Sequence, residues 1–434
     1  MQGAGDATAR PTNSNAMLML GGLAAFSAYF AMYAFRKPFA AATYADVAGW
    51  HFAIDYKSAL LIAQVIGYAL SKLIGVRVIA ESGRHGRARQ ILMLIGASWV
   101  ALILFALIPA PWNVACLFLN GLPLGLIWGL VFSYVEGRRV SELLGSMLCA
   151  SFILASGVVK SVATLLMGAG VPELWMPAAT GLVFTPVLFL SLWQLERLPP
   201  PDARDEAERT VRVPMGAAER TAFLRSHGGT LLLLVLGYVA LTALRDIRDN
   251  FAAEIWAGLG YGGEASVFAA SELPVALLTL GSLALLMLVR DNLRALLAMH
   301  GMIVAGALLL AASTLAFEAR LIGGLPWITL TGAGLYLAYT PFNAMLFDRM
   351  VATIGTAANA GFLIYVADSS GYVGSVALLL VHSFGAPQLD WLRFFAICCQ
   401  ATALLVAVLT SISAVQFLRK RWSAGDATGL ARRG

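Results

Sequence analysis

Long apolar segments recur along almost the whole chain, and this feature restricts the fold more than any other. Each segment has about 20 residues, the length that an α-helix needs to cross the hydrocarbon layer of a bilayer. Lipid offers the backbone no hydrogen-bond partners, so each segment is expected to be a helix, which satisfies its own backbone groups. The sequence therefore predicts an all-α membrane protein with twelve transmembrane helices. They are placed at residues 17–43, 58–79, 91–108, 113–135, 144–167, 177–195, 230–253, 266–289, 295–316, 326–347, 357–382 and 392–417.

The composition agrees with a membrane protein and leaves little chain for a separate soluble domain. Of the 434 residues, 59% are hydrophobic and 12% are charged, whereas soluble domains carry about 25% charged residues. One long polar segment divides the predicted spans into six and six, and equal halves favour two repeats related by an axis along the membrane normal. The predicted domains are a tail at 1–15, a six-helix half at 16–195, a linker at 196–229, a second six-helix half at 230–417 and a basic tail at 418–434.

Lysines and arginines are distributed unequally between the two sides that these spans define. Twenty-one of the 30 lie in the tails and the even-numbered loops, while three, Lys57, Arg320 and Arg393, lie on the opposite side. Because cytoplasmic loops are enriched in basic residues, both termini are predicted to be cytoplasmic. The asymmetry also accounts for the net charge of +6 without a nucleic-acid partner. The expected location is a cell (inner) membrane.

Six basic residues fall inside the predicted spans, and these are the strongest candidates for function. An ionised side chain at the centre of a bilayer costs at least about 2.5 to 3.5 kcal/mol. Each one therefore needs a water-filled cavity, a charged partner or a route to the interface. The basic residues are Arg36, Lys37, Lys72, Lys160, Arg245 and Arg248, and the acidic residues within spans are Asp246, Asp249, Glu272 and Asp368.

The first predicted helix places two phenols and a cation on one face. Tyr29, Tyr33 and the pair Arg36 and Lys37 follow one another at steps of three and four residues, which brings side chains to the same side of a helix. The functional interpretation is an anion-binding site. The alternatives are that the basic pair reaches outward to the interface and that the two tyrosines serve only as packing.

The seventh predicted helix carries a cluster of four charges. Arg245 and Arg248 share one face of it, and Asp246 and Asp249 lie about 100° round from them. One alternative is that these side chains compensate one another, with Arg248 pairing with Asp249 and Arg245 with Asp249 four residues on. The other is that the deeper Arg245 faces a cavity. There it would grip a dianion such as phosphate together with Arg36 from the other half.

The remaining intramembrane charges match in depth across the two halves. Lys160 lies at a depth close to that of Glu272, and Lys72 at a depth close to that of Asp368. If the helices are neighbours, these two pairs would latch opposite faces of the protein, and Asp368 would be a candidate for coupling. The alternative is that the matching depths are accidental.

Polar residues on the tenth and eleventh predicted helices either line the cavity or serve as contacts between helices. They are Tyr336, Tyr339, Thr340, Pro341, Asn343, Asn359 and Tyr365. No nucleophile, metal or nucleotide motif is recognisable, so the chain is predicted not to be an enzyme and to need no cofactor. The expected partners are a small-molecule anion and membrane lipid, with no nucleic acid, and the expected state is a monomer.

Several motifs of this chain resemble the major facilitator superfamily, and within it the organophosphate:phosphate antiporter branch that includes the glycerol-3-phosphate and hexose-phosphate transporters. The chain also resembles a further group of bacterial membrane proteins of this superfamily. The chain departs from the branch at three places: residues 148–152 contain no histidine where the branch has one, and neither Lys160 nor Asp368 is a feature of the branch. The matching motifs are Tyr33-x-x-Arg36-Lys37, the segment 67–72, the segment 355–358 and the segment 371–375.

The resemblance implies a secondary transporter that exchanges an organic phosphate for inorganic phosphate by alternating access between two six-helix halves. By motif position it implies a phosphate-binding role for Arg36 and Arg245 and an accessory role for Lys72. Two alternatives stay open. One is a proton-coupled transporter of another solute, with coupling through Asp368, and the other is a non-transporting membrane sensor of a phosphate ester.

Overall fold

The computed structural model describes residues 15–45, 47–81, 86–135, 141–199, 217–354 and 360–431, and all regular structure in these ranges is helical. The α-helices are α1 (Asn15–Tyr33), α2 (Tyr56–Glu81), α3 (Arg87–Leu107), α4 (Val114–Leu124), α5 (Ile127–Val135), α6 (Ser141–Gly168), α7 (Met176–Glu196), α8 (Ala217–Asn250), α9 (Ala252–Gly258), α10 (Ser266–Met287), α11 (Asn292–Glu318), α12 (Gly324–Ala344), α13 (Leu346–Ile354), α14 (Ala360–Leu380) and α15 (Trp391–Ala431). A short 3₁₀ helix occupies Pro38–Ala41, and a π-helical turn occupies Val381–Gly385.

Nine helical segments in the described ranges are long and apolar enough to cross a membrane, and each coincides with a predicted span. Helices α1, α2 and α12 stand at the other three predicted positions. Large apolar side chains such as Leu182, Phe189 and Leu190 are more than half exposed on α7. Exposure on this scale suits contact with lipid rather than water. The chain is therefore a multi-pass membrane protein.

The first helix ends earlier than the sequence predicts. Helix α1 stops at Tyr33, and the chain continues through a tight turn whose amides bond three residues back, as in the bond from Arg36 to the carbonyl of Tyr33 at 3.1 Å. The cause is Pro38, which restricts the residue before it and opens the 3₁₀ helix at its first position. Arg36 and Lys37 thus lie in a turn, not on the continuing helix of residues 17–43.

Other boundaries also move. Helix α8 begins at Ala217, inside the segment predicted as linker, so residues 217–229 extend the seventh span. The fourth predicted span is two helices, because α4 ends at Leu124 and α5 begins at Ile127. Pro123 in the last turn of α4 removes a backbone donor there.

Glycines allow the closest contacts between helices. A Cβ atom built on Gly121 of α4 would lie 2.3 Å from the carbonyl oxygen of Gln64 on α2, and one on Gly67 would lie 2.3 Å from that of Phe118. Small residues of this kind let membrane helices approach with their backbones in contact. Helices α2 and α4 therefore form a close pair that supports the turn after α1.

The most extensive packing between the two predicted halves involves α6 and α10. Helix α6 packs along α10, where Gly157 leaves room for the carbonyl of Phe268 and the side chain of Glu272. Helix α8 packs mainly against α14 and α15. The ends of α6, α8 and α10 thereby bring most of the charged residues together.

Candidate functional site

The turn that carries Arg36 is held by two buried amides from neighbouring helices. Gln64 on α2 donates to the carbonyl of Arg36 at 3.0 Å, and Asn120 on α4 donates to the carbonyl of Phe35 at 2.9 Å. The two amides also bond to each other at 2.8 Å. The backbone beneath the Arg36 guanidinium is therefore fixed from two sides.

The guanidinium of Arg36 lies among aromatic rings. Its central carbon is 3.9 Å from the centre of the Tyr68 ring and 5.9 Å from that of Tyr33, and Tyr29 packs edge-on against Tyr33 at 5.5 Å. Its Nε is buried without a hydrogen-bond partner. No carboxylate among the side chains that the structure describes is paired with it. Aromatic faces stabilise a buried cation but leave its charge uncompensated.

Lys37 points to different partners. Its side chain is buried, pairs with the carboxylate of Asp249 on α8 and donates to the Asn250 side chain at 2.8 Å. The ammonium of Lys160 on α6 pairs with the same carboxylate. We call Lys37, Lys160 and Asp249 the Asp249 cluster. It holds two cations and one anion, so it carries one net positive charge.

The predicted pairing of Lys160 with Glu272 is not the one in the structure. Glu272 on α10 instead accepts from Arg248 at 2.6 Å, and Lys160 is bound to Asp249. Matching depth in the sequence gives the height of a side chain but not its direction around the helix axis. At this depth along the helices, Arg248 of α8 is the cation that pairs with Glu272, and Lys160 pairs with Asp249.

The two pairings expected within α8 are also absent. Arg248 does not pair with Asp249 but with Glu272, and it also donates to the carbonyl of Ile328 at 3.2 Å. Gly332 on α12 leaves room for this guanidinium, since a Cβ atom there would lie 2.4 Å from its Nη2. Arg248 points toward a neighbouring helix, α10, and that helix supplies its acidic partner, Glu272.

Arg245 pairs with its own sequence neighbour. Its guanidinium bonds to Asp246 at 2.8 Å and 3.1 Å, and Asp246 accepts a further bond from Ser375 on α14 at 2.7 Å. The guanidinium also donates to the hydroxyl of Tyr339 on α12 and lies 4.7 Å from the centre of its ring. Arg245 is thus a compensated cation on the face of α8 that looks toward α12 and α14.

The two candidate arginines approach the same phenol. Tyr33 lies within electrostatic range of both Arg36 and Arg245, although no direct contact joins the two guanidinium groups in the described structure. A shared anion between them stays a prediction. The five described cations of the spans are Arg36, Lys37, Lys160, Arg245 and Arg248, and the four acids are Asp246, Asp249, Glu272 and Asp368, so positive charge is in excess.

For two candidate residues from the sequence, the structure describes no side chain. Lys72 lies on α2, of which the structure describes the backbone but not the side chain at this position, and Asn359 lies outside the described ranges. Asp368 lies on α14 and accepts from the hydroxyl of Tyr238 on α8 at 2.5 Å. Tyr238 in turn contacts the hydroxyl of Tyr339 at 3.1 Å.

Sequence reasoning missed Tyr238, because a single tyrosine in an apolar helix gives no distinctive signal. It lies seven residues before Arg245, which is two helical turns and hence the same face. That spacing was the available clue.

Lys57 was also missed, because it stands just before the second predicted span and was counted with the loop. Its side chain is 2% exposed and bonds to Glu254 of α9 at 2.7 Å and to the carbonyl of Ala40 at 2.9 Å. A cavity of about 300 Å³ adjoins this pair. It is lined by Thr43, Tyr44, Ala45, Val47, Trp50, Asp55, Tyr56 and Trp391 as well as by the pair itself.

Comparison with known proteins gives the fold and the family. The chain is similar to the crystal structure of a D-xylose-proton symporter, with a TM-score of 0.58 and 12% sequence identity over 90% of this chain and 96% of that chain. At this identity the likeness shows the fold alone. It does not extend to the organophosphate:phosphate antiporter branch. A search of curated proteins found no matching sequence. A family model, DUF5690, matches residues 38–420 and is described as a family of unknown function. Since this match covers most of the sequence, the chain belongs to the DUF5690 family.

Proposed function

We propose that the protein is a secondary transporter of a small anionic, phosphorylated solute and that it works by alternating access. In this proposal the chain crosses the cell (inner) membrane twelve times, with both termini in the cytoplasm. Residues 16–195 and 230–417 form two six-helix halves on either side of the solute. The protein acts as a monomer surrounded by lipid, with no nucleic-acid partner.

The observation that carries the proposal is the uncompensated guanidinium of Arg36. It lies within the membrane part of the chain, it contacts the rings of Tyr33 and Tyr68, and no described carboxylate pairs with it. Leaving a cation in such a place costs several kcal/mol unless an anion arrives to share it. The Asp249 cluster adds a second positive charge nearby. A solute anion is the simplest partner for this surplus.

The geometry also suggests how a solute charge would drive the cycle. Arg36 belongs to the first half and Arg245 to the second, so closure of the halves over an empty site leaves the charge of Arg36 buried and uncompensated. An anion between the two arginines offsets that charge and favours closure, which is the differential stabilisation that a conformational change requires. Guanidinium groups suit a phosphoryl group, because they can donate two parallel hydrogen bonds to its oxygens.

Ion pairs between the halves indicate which side is closed. Lys37, Lys57 and Lys160 of the first half bond to Asp249 and Glu254 of the second. These residues lie at the end of the molecule that carries the loop between α1 and α2, which is the outer end in the proposed topology. Under this proposal, these ion pairs close the path between the halves on the outer side.

Flux through the purified protein in liposomes tests the proposal. Liposomes loaded with unlabelled inorganic phosphate are given external labelled phosphate, glycerol 3-phosphate, glucose 6-phosphate or xylose, and uptake is followed over time. Counterflow of a phosphorylated solute supports the proposal. Uptake of xylose alone would assign a neutral sugar instead, as in the similar symporter. Saturable phosphate binding without flux would identify a sensor.

A further inference from the structure

A chain of hydrogen bonds joins Asp368 to the candidate anion-binding residue Arg245. The Arg245 guanidinium donates to the hydroxyl of Tyr339, the hydroxyls of Tyr339 and Tyr238 are 3.1 Å apart, and Tyr238 donates to Asp368 at 2.5 Å. A guanidinium group has no hydrogen-bond acceptor, so Arg245 is the donor of the first bond and the Tyr339 oxygen accepts it. An ionised carboxylate has no donor, so the last bond runs into Asp368. Every hydroxyl proton between them must therefore point toward Asp368.

Because the hydrogen bonds all run in one direction, the hydrogen bonding of Arg245 depends on the protonation state of Asp368. We propose that Asp368 is the coupling residue of the transporter and that Tyr238 and Tyr339 transmit its charge state to Arg245. The inference rests on the proposed function, because it assumes that Arg245 helps to hold the solute anion. It adds the coupling ion, a proton, and the path by which that proton acts on the site.

The sign of the coupling follows from the charges. When Asp368 is ionised, its carboxylate anchors the chain and Arg245 commits one N–H to Tyr339. A proton taken up from a hydronium ion of the solvent forms an O–H bond on Asp368 and neutralises that anionic anchor, which weakens the hold of Tyr339 on the N–H of Arg245 and lets that N–H turn to the solute. The loss of one negative charge also makes the site more positive. Both effects strengthen anion binding, so the proton and the anion are transported together.

Other charged and titratable groups share this environment. The helices packed against α14 are α8, α13 and α2, with α12 contributing the ring of Tyr339. Asn343 of α12 lies 3.2 Å from the Tyr238 hydroxyl as a second acceptor, and the carboxylate at 2.5 Å is the nearer one. The groups on these helices include Tyr238, Arg245, Asp246, Arg248 and Asp249 on α8, Asp348 and Arg349 on α13, Tyr56, Lys57, Tyr68 and Lys72 on α2, and Tyr336 and Tyr339 on α12. Of these, Arg245 pairs with Asp246, and Arg349 donates to Asn292 at 2.8 Å.

Binding of inorganic phosphate to the purified protein between pH 5.5 and pH 8 tests the inference. The same measurement is made for the wild type, Asp368→Asn, Tyr238→Phe and the control Tyr261→Phe, which lies in the loop after α9. Phosphate changes its own charge in this range, but that change is common to all four proteins and cancels in the ratio of their affinities. A circular dichroism spectrum and a melting curve confirm that each variant is folded.

The wild type is expected to lose affinity relative to Asp368→Asn as the pH rises, by about tenfold, which is the usual size of coupling between two sites. The amide cannot ionise, so this variant keeps the tight-binding form throughout. Tyr238→Phe breaks the chain and is expected to flatten the pH dependence, while Tyr261→Phe follows the wild type. Equal pH profiles for the wild type and Asp368→Asn would overturn the coupling. Absence of phosphate binding by the wild type at every pH would instead contradict the proposed function.

Discussion

Asp249 has more charged partners than any other acidic side chain that the structure describes in the spans. Its carboxylate pairs with Lys37 and Lys160, and it also accepts from the hydroxyl of Ser156. A buried ion pair adds little net stability, but removal of one partner leaves a charge that nothing compensates. The consequences of mutation therefore depend on which member of the Asp249 cluster is changed.

Asp249→Asn is expected to destabilise the protein by about 3 to 5 kcal/mol, because it strands two buried ammonium groups. Lys160→Met is expected to cost less, since Asp249 keeps its bond to Lys37. The double variant Asp249→Asn/Lys160→Met leaves only one stranded lysine and should be more stable than Asp249→Asn alone. Thermal unfolding in detergent measures all three. If Asp249→Asn melted no lower than Lys160→Met, the shared-carboxylate account would be wrong.

Pairs of helices, rather than single residues, position the candidate site. The backbones of α2 and α4 touch at Gly67 and Gly121, and the same two helices supply Gln64 and Asn120, which hold the turn at Arg36. The position of this guanidinium therefore depends on a close contact at the same level of the two helices, since Gly121 follows Asn120 and lies against the backbone of Gln64. A side chain added at that contact must push the helices apart.

Gly121→Ala is expected to destabilise the protein by about 1 to 3 kcal/mol, the usual cost of overpacking a tight contact. The added methyl group would sit 2.3 Å from the carbonyl oxygen of Gln64. Gly96→Ala in α3 is the matched control, because nothing lies within 4 Å of a Cβ atom there. Alanine is the better helix former, so the control should be neutral or slightly more stable. Equal melting temperatures for the two variants would contradict the packing argument.

At the end of the molecule that carries the loop between α1 and α2, the contact between α2 and α9 depends on Lys57 and Glu254. Their bond closes the two halves over the first loop. The variant Lys57→Glu places two carboxylates together and is expected to separate the halves at this end. The exchange Lys57→Glu/Glu254→Lys restores opposite charges and should close them again.

Spin labels on Phe52→Cys and Leu321→Cys report the opening directly, because both positions are exposed in loops at this end, one in each half. Lys57→Glu should shift the distance distribution to longer values, and the charge exchange should bring it back. An unchanged distribution in Lys57→Glu would show that the pair does not hold the halves together.

At the scale of the whole molecule, the lengths of the apolar segments predicted the helices well, whereas the charged residues did not predict which ion pairs form. The nine spans among the described helices were visible in the sequence because lipid permits only one solution for a long apolar segment. The helix break after Tyr33 was not predicted, although Pro38 was visible, because the apolar sequence continues past it. Boundaries near the linker moved because a polar helix such as the first turns of α8 has no apolar signature.

The candidate site was predicted in its members but not in its pairings. Arg36, Arg245 and Asp368 stood out because a charge in an apolar span is rare and costly. Which acid meets which base depends on the direction of each side chain around its helix and on the neighbouring helix, and neither is written in a single span. Lys160 therefore met Asp249 instead of Glu272. Tyr238, an uncharged residue, could be found only from the structure.

In the proposed function the solute anion binds at the uncompensated guanidinium of Arg36. Isothermal titration of the purified protein with inorganic phosphate tests this role, with Arg36→Gln compared with the control Arg393→Gln, a change at an exposed arginine in the first turn of α15. Removal of a buried charge that pairs with a ligand costs about 2 kcal/mol or more. At least a 30-fold loss of affinity is therefore expected in Arg36→Gln, and wild-type affinity is expected in Arg393→Gln. Wild-type phosphate affinity in a folded Arg36→Gln protein would contradict it.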